Sequence, residues 1–151
     1  MLFRSPFQLL FAVVDERVAL VVQIPAMGRT QLGEADTRLL GNLLRWLGLS
    51  LPAQSWLQFR WPLPGMSGGT VTLAAKTLSV FLQQATGGRQ VEHLLLLGQG
   101  MEQCVDALCS AMSFRVWSTH GLAEMLAVPM LKREVWQRLL PLQELLQKNR
   151  G

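Results

Sequence analysis

Apolar residues near the start of the chain fall into two blocks, Phe7–Val14 and Val18–Ile24, separated by the polar triplet Asp15, Glu16 and Arg17. Two β-branched-rich runs around three polar residues predict a β-hairpin. Pro25 ends the second strand because it has no N–H to give a ladder. Residues 26–33, with Gly28 and Gly33, read as a loop. The spacing then changes: Leu39, Leu40, Leu43, Leu44 and Leu47 share one broad face at a helical repeat. Residues 35–47 therefore predict an amphipathic helix, closed by Gly48. Ser55–Trp61 is short and aromatic and predicts a strand. A Pro- and Gly-rich loop follows from Pro62, with Thr70 as N-cap of the next helix.

That helix places Val71, Ala74, Ala75, Leu78, Phe81 and Leu82 on one face and stops at Gly87 and Gly88; Leu73 and Val80 lie on its opposite side. Glu92–Leu97 carries a continuous apolar run bounded by glycines, the pattern of a strand covered on both faces. Residues 101–111 predict a helix, Phe114–Trp117 the last strand, and residues 120–148 a terminal helix split at Pro129. At about 100° per residue, Leu131, Val135, Leu139, Leu142, Leu145 and Leu146 form the stripe that should face the sheet. Pro141 is expected to kink or end this helix. The order β-β-α-β-α-β-α-β-α implies an α/β fold: a single domain with a mixed, mostly parallel sheet of about five strands, opening with a β-hairpin and covered by helices on both faces. Residues 1–6 read as a short lead and residues 7–148 as the domain.

Composition narrows the function classes. Half the residues are hydrophobic and 16% charged, which excludes disorder over most of the length. Runs such as Val18–Val22 and Leu94–Leu97 are far shorter than the ~18 residues that would cross a bilayer. Arg4 interrupts the apolar opening and no small-residue cleavage site follows, so a cytoplasmic protein is expected. The net charge of +4 is compatible with nucleic acid nearby. The arginines, however, are spread from Arg4 to Arg150 with no basic run interleaved with aromatics, which argues against direct nucleic-acid binding.

Candidate chemistry is sparse. Gly98-Gln-Gly100 follows a strand, where a dinucleotide loop would sit, but Gln103 occupies the third glycine position and no acid ends the next strand. A tight turn is the plainer reading, and a nucleotide- or metabolite-binding α/β enzyme using Gly98–Gly100 is the leading alternative. Gly65–Thr70 lacks the lysine of a phosphate loop. Cys104 and Cys109 point about 140° apart on a helix, so with only His93 and His120 available no metal site is expected. His120 follows Ser118 and Thr119 and precedes Glu124, but nothing around it resembles a nucleophile elbow, and a capping or surface role is expected. No catalytic residue and no cofactor are assigned. Trp136 and Leu140 instead project away from the core stripe beside Lys132 and Arg133. They either pack under the preceding short helix or anchor a partner, because Trp and Arg concentrate at interface hot spots. With Leu73 and Val80, these are the candidate partner-binding residues.

The chain resembles the psi subunit family of bacterial DNA polymerase III. The likeness rests on Phe114–Trp117, Leu122, Leu126, Pro129, Lys132 and the pair Val135-Trp136. Upstream it rests on the hairpin closing at Ile24-Pro25, the leucine helix Leu39–Leu47 with Gly48-Leu49, and Arg60-Trp61-Pro62. The resemblance implies a non-catalytic, cofactor-free accessory subunit of the polymerase III holoenzyme. Such a subunit binds a chi-like subunit, and through it the single-stranded-DNA-binding protein, and links both to the clamp loader. In the family the clamp-loader contact is made by a flexible N-terminal extension; here only Met1–Pro6 precede the first strand at about Phe7.

Overall fold

The computed structural model describes residues 2–3, 7–24, 31–51, 56–61, 69–86, 91–98 and 114–148. The foreseen hairpin is β2 (Phe7–Val13) and β3 (Val18–Ile24), paired antiparallel from Gln8↔Ile24 to Val13↔Ala19. Its turn is closed by the Val14 N–H donating to the Val18 carbonyl at 3.0 Å. Ahead of it, the residues read as a lead hold a two-residue strand, β1 (Leu2–Phe3), which pairs antiparallel with β5 (Gly69–Thr70).

The main sheet has the order β4-β2-β3-β6-β7, with β4 at Leu57–Trp61, β6 at His93–Leu97 and β7 at Arg115–Thr119. β2 runs antiparallel to both β3 and β4, whereas β3, β6 and β7 are mutually parallel. Four of the five strands therefore share one direction and β2 alone opposes them. β7 outlasts its apolar stretch because the parallel ladder continues through Leu96↔Ser118 and Leu97↔Thr119.

Strand alternation divides the core between two layers. Val18, Leu20, Val22, Leu95, Leu97 and Trp117 face α1 (Glu34–Trp46), α3 (Leu122–Ala127) and α4 (Leu131–Lys148). Ala19, Val21, Leu94, Leu96 and Phe59 face α2 (Val71–Thr86). Leu40, Leu43 and Leu44 of α1 are fully buried, each contributing about 1.5–3 kcal/mol through its burial. The start of α1 is held by Asp36, whose carboxylate accepts the Gly33 N–H at 3.1 Å. Gly48 follows the helix at φ 80°, a left-handed conformation that glycine reaches without a Cβ clash.

The terminal helix is split as expected, with Val128, Pro129 and Met130 between α3 and α4. Pro141 does not end it: α4 continues to Lys148. Leu139, Leu142 and Leu146 on either side of the proline are buried, so packing holds the axis in place. Pro141 itself stands at the exposed surface, where water can serve the carbonyl left without a donor. The helix foreseen over 101–111, with Cys104 and Cys109, lies outside the described residues, as do most of the loop from Pro62 and residues 99 and 100.

Candidate functional site

Ligands in α/β sheets gather at the carboxyl ends of parallel strands. Here β3, β6 and β7 bring Gln23, Gly98, Thr119 and His120 to that edge. The Gly98 N–H donates to the Thr119 carbonyl at 3.1 Å. A Cβ at Gly98 would stand 2.9 Å from Gln23 Oε1 and 3.3 Å from Gln23 Cβ, and one at Gly121 would stand 3.5 Å from Gly98 Cα. The absent side chain at Gly98 thus makes room for Gln23 and for the Leu96 side chain. Its N–H is already committed, so it is not offered to a phosphate.

His120 is neither a simple cap nor a base beside a nucleophile. Its Nδ1 lies 3.3 Å from Glu124 Oε2 and its Nε2 lies 2.9 Å from Glu134 Oε2. Both ring nitrogens therefore face carboxylates, and neither is directed at the Ser118 or Thr119 hydroxyl. Glu124 also accepts the Gly121 N–H at 3.2 Å, so it caps α3 while orienting the ring. The imidazole ties α3 to α4, and the two carboxylates make this edge unfavourable for a phosphate. Among the described residues the buried Thr119 Oγ1 has no hydrogen-bond partner, and no group of three or more His, Cys, Asp and Glu could hold a metal.

His93 is structural in its contacts. It is buried, and its Nδ1 accepts a hydrogen bond from Trp117 Nε1 at 3.1 Å, while the Arg115 guanidinium carbon sits 4.1 Å from the Trp117 ring centroid. Burial, foremost, lowers its pKa from the usual 6.5; Glu92 opposes this, and Arg115 and Arg17 add to it.

The candidate partner-binding residues are all at the surface to some degree, on two separate faces. Trp136 does not stand free: it packs against the core layer shared by α1, α3 and α4. Half-buried, its ring tilts at 38° against Trp46 of α1, with centroids 5.7 Å apart. The Gln143 side chain beside it donates to the Trp46 carbonyl at 3.1 Å. Leu140, Lys132 and Arg133 are exposed on the same helix. Leu73 and Val80 are exposed on α2, across the sheet, so the six residues do not form one site.

The most exposed apolar stretch among the described residues is one that the periodic sequence pattern does not mark as a surface. Leu126, Ala127, Val128, Pro129 and Met130 are all exposed, Met130 at 83%. The signal was present: an apolar run broken by a helix-stopping proline cannot turn every side chain inward. This elbow leads straight into Lys132 and Arg133, which pair with no carboxylate among the described residues. Among the described residues no helix is long and apolar enough to cross a membrane. Comparison with protein-family descriptions, curated proteins and solved structures finds no match.

Proposed function

We propose that this chain is a psi-like, non-catalytic accessory subunit of a bacterial DNA polymerase III holoenzyme, working in the cytoplasm. It binds a chi-like subunit, and through that subunit joins the single-stranded-DNA-binding protein to the clamp loader. The observation that carries the reading is the exposed elbow Leu126–Met130, continuous in the chain with Lys132, Arg133, the half-buried Trp136 and Leu140. Contiguous exposed apolar side chains beside cations and an indole are the makings of a protein interface. The crowding of Gln23 onto Gly98, the committed Gly98 N–H and the nearby Glu124 and Glu134 weigh against the rival nucleotide-binding enzyme.

The test is a pulldown with purified chi, single-stranded-DNA-binding protein and clamp-loader subunits, followed by calorimetry. A stable complex with chi, weakened by Met130→Asp in a chain of unchanged melting temperature, is the expected result. Failure to capture chi sinks the assignment. Clear stabilisation by a nucleotide in a thermal-shift panel favours the rival.

A further inference from the structure

β4 is an edge strand, paired with β2 on one side and with no described strand on the other. Such an edge presents a row of N–H and C=O groups that another chain can pair with. Beside it, α2 and β4 enclose a groove of about 490 Å³ lined by Gln58, Phe59, Arg60, Val80, Phe81 and Gln84, among others. Its wall on α2 is a helical stripe, Thr77, Val80 and Gln84, with Val80 46% exposed. Its floor is aromatic: Phe59 and Phe81 lie 5.2 Å apart between ring centroids. Leu57, on the same face of β4 as Phe59, is 48% exposed and extends the apolar surface along the strand.

The opposite face of β4 is polar. The side chains of Gln58 and Arg60 both donate to Oε1 of the buried Gln8. Arg60 has no carboxylate partner among the described residues. β4 and α2 together contain Arg60 and Lys76 and no acidic residue. A strand laid beside β4 would send alternate side chains to alternate faces. One set would meet Phe59, Val80 and Phe81; the other would run alongside Gln58 and Arg60.

We infer that the outer edge of β4 and the adjoining stripe of α2 accept an extended segment of a partner protein whose residues alternate between apolar and acidic. The apolar set fills the groove, the acidic set lies beside Arg60, and the backbones complete a sixth strand. A second copy of this chain is a poorer occupant, because it would bring Arg60 and Lys76 against their own counterparts. This surface is across the sheet from the elbow at Leu126–Met130 and does not depend on the chi-like reading.

The probe is a short fluorescein-labelled peptide of alternating valine and glutamate, titrated with the full chain and read by anisotropy. The controls are a valine–lysine peptide and a valine–glutamate peptide N-methylated on the amides that would face β4. Saturable binding of the first peptide alone, weakening as salt is raised, is expected. Val80→Glu should weaken it about tenfold or more without changing the melting temperature, since Val80 lies on an exposed helix face. The inference is overturned if no saturable binding is seen, or if either control peptide binds as well. It also fails if Val80→Glu has no effect, or if sedimentation shows a dimer that Val80→Glu dissolves.

Discussion

Replacing Trp136 with alanine probes the contact that couples the surface of α4 to the core. Burying a whole indole and then deleting it costs about 3–5 kcal/mol. Trp136 is half-buried, so about 2 kcal/mol is expected, of which about 0.5–1.5 belongs to the pairing with the Trp46 ring. Urea unfolding should show a lower midpoint with an unchanged slope. A double-mutant cycle with Trp46→Ala should return that 0.5–1.5 kcal/mol as coupling, because removing either ring ends the same contact. Under the proposed function, the exposed half of the ring contributes to partner binding. Calorimetry with chi, at a temperature where the variant is fully folded, should therefore show affinity weakened by at least about 1 kcal/mol. A variant too unstable to purify would place Trp136 wholly in the core. Unchanged affinity would remove it from the interface, and zero coupling would refute the ring contact.

Two further outcomes follow from the interior. His93 has a folded-state pKa below its unfolded 6.5, so the unfolded chain binds its proton first; stability is full above that pH and is lost as pH falls below 6.5. A single group limits this slope to about 1.4 kcal/mol per pH unit. Thermal melts of wild type and His93→Gln should converge as the pH is lowered from 7 toward 5, and parallel curves would disprove the role. Gly98→Ala should destabilise by about 1–3 kcal/mol, since its Cβ would press on Gln23 and on Leu96 Cδ2 at 3.3 Å. Adding Gln23→Ala should recover part of that loss in chemical denaturation, whereas a neutral Gly98→Ala would show that the edge is open.

The elements that were legible are those with a long periodic pattern. The hairpin, the leucine helix and the split at Pro129 lie within a residue or two of their expected bounds because burial selects those patterns. The pairing of Leu2–Phe3 with Gly69–Thr70 was not legible, since two residues have no period. Ser118 and Thr119 were not expected in a strand because it is the Leu96 and Leu97 ladder, not their own polarity, that places them there. The partner of Trp136 was hidden for a related reason. Trp46 lies outside the leucine stripe of α1, and only the packing of α1 beside α4 brings the two rings together. The meeting of Gln23 with Gly98 likewise arises from pairing between strands remote in the chain.

The mixed character of the sheet imposes an order on its assembly. β2 and β3 are joined by a short turn and can close at once, but β3 finds its parallel neighbour only when Val18 meets His93. Until then the emerging polypeptide carries Val18–Ile24 with one flank uncovered, an apolar and nearly uncharged stretch prone to self-association. Ribosome-arrested fragments that stop short of His93 should therefore precipitate on release, and those extending past Lys148, which include the helices covering the sheet, should stay in solution. The hairpin is both the part closed by the shortest connection and a part that depends on what is synthesised later.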